Sequence, residues 1–321
     1  MDLSRRTFTK FLALSCMGSL AACTRTSSQL SLQAPWINDA EFLGYFVALQ
    51  NGYYGKHEVD FKYLPGGPDK IADQILFAKK ADIALTNPET TVALIVNEKA
   101  PFKIIGTQYQ RSPLGVVSLE ENGIRGPQDL IGKRLAVPAA NRITVAAFLK
   151  ANAIPIEKVS LVPYAYDPSV LLDGRCDATV DFVTNVPFVI EQAGKKASSF
   201  LFYDHKLKLF MDTVVVREDV LKERRKEIVG FLRASREGWN ESFKDSKKYI
   251  DLFMGSHFRG TGRTVENELV FQKNQRPLIE SPQGVFHMSE ESIGDCVRSL
   301  NDIGLKATPA MFDTTILAEL Q

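Results

Sequence analysis

Short β-type runs alternate with helical segments along most of this chain, and that alternation limits its fold more than any other feature. Leu30 and Leu32 alternate with Ser31 and Gln33, the period-two pattern of a half-buried strand. Pro35-Trp36-Ile37-Asn38-Asp39 breaks the pattern, and Phe42, Tyr45, Phe46 and Leu49 follow at helical spacing, with Gly52 closing that helix. Residues 59–64, 83–86 and 102–110 read as strands. Residues 71–78 and 88–97 read as helices, with Pro88 at the first position of the second. A second cycle begins near Gly115, with strands expected over 134–137, 159–162, 179–183 and 209–216 and helices over 144–152 and 187–193. After Arg217 the chain turns helical, over 218–255, 264–276 and 290–303, the last with Ile293, Val297 and Leu300 as its buried stripe. Such alternation predicts an α/β fold with largely parallel sheets. Two α/β segments followed by a helical tail predict two lobes joined by two chain crossings, near residues 111–118 and 206–214. Lobe one is assigned residues 29–112 and 214–321, and lobe two 113–213.

The N-terminus carries a separate message. Ser4-Arg5-Arg6-Thr7-Phe8-Thr9-Lys10 is basic, and the uncharged apolar run from Phe11 to Ala22 follows it. The run is too short to span a bilayer, which takes about 20 apolar residues. A basic segment before a short apolar run is the pattern of an export signal. The paired arginines resemble the twin-arginine motif, although Thr9 stands where that motif usually has leucine. Leu20-Ala21-Ala22-Cys23 resembles a lipobox, which implies cleavage before Cys23 and acylation of its thiol, giving a membrane anchor. The alternative is an ordinary cleavage site with Cys23 incidental. Residues 23–28 are small and polar, a tether between lipid and domain.

Removal of residues 1–22 leaves 299 of the 321 residues, enough for one large or two medium domains. It also removes Arg5, Arg6, Lys10 and Asp2, which takes the formal charge from +1 to −1. That balance offers no electrostatic grip on nucleic acid. Cys176 and Cys296 lie far apart in sequence and are expected as reduced, buried thiols. The chain has no phosphate-cradling G-x-x-x-x-G-K-[ST] loop, and Gly66-Gly67 reads as a turn. His57, His205, His257 and His287 stand singly, and neither Cys-x-x-Cys nor His-x-x-x-His spacing occurs. No metal site, cofactor or catalytic set is expected, and the chain reads as a non-enzyme.

The stretch Ala34 to Ala48 and its continuation Asn51-Gly52-Tyr53-Tyr54 resemble the first strand–loop–helix of a family of solute-binding proteins. So do Gln110-Arg111-Ser112-Pro113, Gln128 to Lys133, Thr184-Asn185-Val186-Pro187 (with Val186 in place of the family's acid), Gly284 to Met288 and Gly304-Leu305. The family comprises binders of thiamine-pyrimidine precursors, formylaminopyrimidine and riboflavin, and overlaps the nitrate, sulfonate and taurine binders. The resemblance implies a bilobal, type II periplasmic-binding-protein-like fold that closes on a ligand and passes it to an ABC permease and its ATPase. It implies a monomer, anchored here by the lipid on Cys23 in the cell envelope. The implied cargo is a thiamine-related pyrimidine precursor or similar heteroaromatic nutrient, with riboflavin or a small anion as alternatives. Pyrimidine synthases of the same fold family resemble the Trp36 region too, but their cysteine-rich motif is missing here.

A ligand between such lobes meets the loops after the carboxyl ends of strands. Trp36, just after the first strand, is the expected stacking surface. Asn38 and Glu41 are candidates for reading ring nitrogens and amino groups, whereas Asp39 is better read as a helix cap. Tyr45, one turn beyond Glu41, is either a contact on the same face or a core aromatic. Asn87 is either a contact or an N-cap. Asn141 and Arg142 open a lobe-two helix whose amides suit an anion, and Arg142 is either part of that site or a solvated surface charge. Asn185, Tyr164 and Asp212 complete the expected cleft residues.

Overall fold

The computed structural model describes residues 29–164 and 166–320. The export signal, the lipobox, Cys23 and the tether lie outside the described residues.

Among the described residues, ten strands form two five-stranded sheets, in the orders β2-β1-β3-β10-β4 and β7-β6-β8-β5-β9. The first sheet holds β1 (Leu30–Gln33), β2 (Phe61–Leu64), β3 (Ile83–Thr86), β4 (Phe102–Tyr109) and β10 (Met211–Arg217). The second holds β5 (Leu114–Leu119), β6 (Arg134–Val137), β7 (Ser160–Pro163), β8 (Ala178–Phe182) and β9 (Ala197–Leu201). The chain passes between sheets over residues 110–113 and again over 202–210. A hydrogen bond from the Ser112 amide to the Leu209 carbonyl (3.0 Å) ties the two crossings together.

The sheets are mixed, which corrects the expectation of largely parallel ones. β1 runs parallel to β2 and β3, and β6 to β7 and β8. β10 is antiparallel to both β3 and β4, and β5 to both β8 and β9. The antiparallel strand in each sheet is one that enters directly from the other lobe, and a strand without a preceding crossover helix has no need to run parallel. β9 escaped the sequence reading because Ala197-Ser-Ser-Phe-Leu201 lacks the β-branched residues that mark a strand.

The helix Leu43–Gln50 has no polar face, and every residue from Leu43 to Ala48 is buried. It crosses the 20-residue helix Arg225–Lys244 at two glycines. A Cβ on Gly238 would lie 2.1 Å from the Gly44 carbonyl oxygen, and one on Gly44 would lie 2.3 Å from the Trp239 indole. Only glycine permits that approach, which fixes the segment carrying the first cleft loop. Cys176 and Cys296 are buried and unbridged. No helix among the described residues is long and apolar enough to cross a membrane.

Candidate ligand-binding cleft

A cavity of about 1000 Å³ lies between the lobes. Its walls are strand ends and helix starts, as the fold requires of a site between α/β units. After β1, the loop 34–38 carries Trp36 to the cavity wall. That loop is pressed by Gly66, where a Cβ would sit 2.4 Å from the Ala34 carbonyl oxygen and the Trp36 amide nitrogen. A side chain at Gly66 would displace Trp36. β3 ends at Thr86, and Asn87 follows on the wall. From lobe two come Asn141, Tyr166, Asp181, Phe182 and Asn185. Residues 261–267, at the head of the helix Val265–Ile279, close a third side with Arg263.

Aromatic and polar contacts join the two lobes around this space. The Trp36 and Tyr166 rings meet with centroids 4.5 Å apart and planes tilted by 55°. The Thr144 hydroxyl donates to Glu89 Oε1 at 2.6 Å, and Asn274 Nδ2 donates to the Thr184 carbonyl at 2.9 Å. Phe182 meets Phe271 edge-on at 6.3 Å.

The cleft floor is acidic. Asp39, Glu41 and Asp212 line it and are 1 %, 4 % and 2 % exposed. Asp39 Oδ1 accepts from the Glu41 amide (2.9 Å), so it caps the turn Ala40–Phe42 as expected. Its other oxygen lies 3.0 Å from Arg263 Nη2. Arg263 Nε also faces Glu268 Oε1 at 3.5 Å, and Glu268 Oε2 accepts from the Ala40 amide at 2.5 Å. Burial by itself would lower the Arg263 guanidinium, yet Asp39, Glu268, Glu41 and Asp181 hold it above its ordinary value. Burial pushes Glu41 well up, and the charges of Asp212 and Asp39 add to the effect. Asp212 is raised by burial and by Asp39, while its hydrogen bond with Glu41 works the other way. Both carboxyls are thus pushed towards their protonated forms, Asp212 up to about 7. Burial also pushes Asp181 up to about 6, against hydrogen bonds from the Tyr164 hydroxyl (2.6 Å) and the Phe182 amide (2.9 Å).

Backbone strain marks the same place. Asp212 has φ of 50°, a left-handed conformation inside a strand. Aspartate tolerates that region better than most residues, and such outliers cluster at functional sites. Gln108 Nε2 holds the Asp212 carboxylate at 3.1 Å and donates to the Glu41 carbonyl at 2.8 Å.

The cavity brings together Trp36, Glu41, Asn87, Asn141, Asn185 and Asp212 of the sequence-selected residues. Asn87 stands at the N-cap position but makes no capping hydrogen bond, which leaves its side chain to the cavity. Four others lie elsewhere. Tyr45 is fully buried, with its ring parallel to Phe231 at 6.2 Å and edge-on to Trp239 at 6.1 Å. The shared face with Glu41 does not form, because Glu41 sits in a 3₁₀ turn and the following helix is apolar all round. Arg142 is exposed and off the cavity wall. Asn38 is half-buried beside the wall rather than on it. Tyr164 reaches the site only through its hydrogen bond to Asp181.

Arg263, Asp181 and Tyr166 were not singled out in the sequence. Arg263 stands among glycines and threonines without a motif. Tyr166 lies two residues beyond Tyr164, and its φ of 59° turns it off the strand direction.

The fold defines a class, the two-lobed type II periplasmic-binding-protein fold. The aliphatic sulphonate-binding protein SsuA of Escherichia coli superposes with a TM-score of 0.65 at 12 % identity, over 85 % of this chain and 91 % of that one. The particular family follows from the sequence: residues 39–248 match the model described as NMT1/THI5 like, and the chain belongs to that family. It is 23 % identical over 250 residues to a formylaminopyrimidine-binding protein of Halalkalibacterium halodurans, covering 76 % of this chain and 75 % of that one. It is 20 % identical over 232 residues to the riboflavin-binding protein RibY of Chloroflexus aurantiacus, covering 71 % and 66 %. A 4-amino-5-hydroxymethyl-2-methylpyrimidine phosphate synthase of Uromyces fabae matches at 25 % over 242 residues, covering 69 % of each chain.

Proposed function

We propose that this chain is the extracytoplasmic solute-binding subunit of an ABC-type importer, lipid-anchored at Cys23 in the cell envelope, acting as a monomer that delivers cargo to a permease and its ATPase. Its cargo is a flat, nitrogen-rich heterocycle, with a thiamine-related pyrimidine precursor as the leading candidate. The observation that carries this reading is the composition of the cleft. Trp36 from lobe one and Tyr166 from lobe two offer aromatic faces, Glu41 and Asp212 offer carboxyls at the floor, and Asp181 offers one from lobe two. An aminopyrimidine has a π-face for the first and adjacent N–H groups for the second. Stacking of this kind contributes about 0.5–1.5 kcal/mol beyond area burial.

The small-anion alternative loses support here. Arg263 is already paired with two carboxylates, Arg142 is off the wall, and Lys70 on the wall is held by the Pro65 carbonyl at 2.7 Å. The riboflavin alternative gains support from the volume, since about 1000 Å³ exceeds the needs of one pyrimidine ring. Among the described residues, no histidine or cysteine lines the cavity to support the synthase reading. Mass spectrometry of small molecules released from purified protein lacking residues 1–22 tests the proposal. Recovery of a pyrimidine or flavin is the expected result; recovery of a sulfonate would overturn the ligand class, and turnover of pyridoxal phosphate with iron would overturn the non-enzyme reading.

A further inference from the structure

We infer that the Glu41–Asp212 carboxyl pair is a charge-exchange seat, taking a flat amidine-type cation by giving up the single proton that the two carboxyls share. The inference rests on the ligand cleft proposed above, but not on the ligand being a pyrimidine.

Both side chains line the cavity and are almost fully buried, close enough for each carboxyl to act on the other. Two carboxylates in contact away from water do not both ionise. Gln108 occupies Asp212 with a donor, which leaves Glu41 as the proton carrier. The groups facing the pair come from every neighbouring element. Asp39 shares the turn, and Tyr45 lies on the helix after it. Tyr63 projects from β2, Tyr109 from β4, and Glu268 from the helix Val265–Ile279. Asp181 faces it from lobe two. Arg263 is the only cation among these described groups, and it is committed to Asp39 and Glu268. Above about pH 7, where Asp212 is ionised, the pair thus keeps one negative charge and one mobile proton.

A second observation points to a donor-bearing ligand. Asn185, 6 % exposed, reaches the same cavity from lobe two, and its Oδ1 has no hydrogen-bond partner. A preformed amidinium meets the pair with two N–H groups, and the Glu41 proton leaves to solvent, so the net charge of the cleft is unchanged. A neutral aminopyrimidine takes the same proton on a ring nitrogen, and none is released.

Benzamidine is the probe, titrated by calorimetry in two buffers of different ionisation heat. The expected result is about one proton released per benzamidine bound at about pH 8, above the Asp212 value of about 7, with affinity rising as pH rises. Glu41→Gln abolishes both the release and the slope. Absence of benzamidine binding, binding without proton release, or a release that persists in Glu41→Gln each overturns the inference. Should Glu41→Gln fail to fold, the wild-type proton count still decides. A parallel titration with 4-amino-2-methylpyrimidine separates the two claims: exchange with benzamidine but no affinity for the pyrimidine sinks the pyrimidine reading and leaves the seat standing.

Discussion

Thr144→Val tests whether the contact between lobes controls closure. The Thr144 hydroxyl donates to Glu89 Oε1 at 2.6 Å across the cleft, and both residues are buried. Valine keeps the shape and removes the donor. In the closed form the Glu89 carboxyl then stays desolvated without its side-chain partner, and in the open form water replaces that partner. The penalty therefore falls on the closed form alone. Leaving a buried acceptor unsatisfied costs about 1–3 kcal/mol, which is a shift of about 5- to 150-fold in the closed-to-open ratio. Distances between spin labels placed on the two lobes of the ligand-free protein read that ratio directly. The expected outcome is a longer-distance population in the variant, with an unchanged melting temperature for each lobe's core. An unaltered distance distribution would refute the reasoning, because it would mean that the hydrogen bond makes no difference between open and closed states.

Three further outcomes are expected. Gly44→Ala drives a Cβ to 2.3 Å from the buried Trp239 indole, and overpacking of this kind costs about 1–3 kcal/mol or more, read as a lower urea midpoint; an unchanged midpoint would contradict the close crossing of the two helices. Asp73 is raised from 3.8 to about 6 by burial, despite hydrogen bonds from Thr90 and Thr91. The fold favours its protonated form, so its contribution is full below pH 3.8 and is lost as pH rises through about 6. That amounts to about 3 kcal/mol at most. Asp73→Asn flattens this part of the pH–stability curve, and a curve identical to wild type would refute the assignment. Trp36→Ala weakens ligand binding about tenfold or more while Arg142→Ala leaves it unchanged, by titration calorimetry with the recovered ligand; the opposite order would favour an anion.

Most elements were legible because they rest on local patterning. The helix Pro88–Asn97 and the strands Ile83–Thr86 and Arg134–Val137 fall where side-chain period and flanking residues place them. The cleft was half legible. Trp36 and Asn87 follow strands directly, so position in a βα unit was enough to place them at the wall. Tyr45 misled because spacing alone cannot tell a helix with one apolar face from one buried all round. Arg263 and Asp181 gave no signal, since neither stands in a motif and each reaches the cleft only in the folded chain.

The sequence by itself determined the alternation of strands and helices, most of their positions, and the family. Tertiary structure alone decided that β5 and β10 run against their neighbours. It also decided that Trp36 meets Tyr166 of the other lobe, and that Glu41 and Asp212 share the buried floor of the cleft. The physical reason is that periodicity is a property of neighbouring residues. The charge of a buried cleft is instead set through space, by which carboxylates lose water and which of them find the one available arginine.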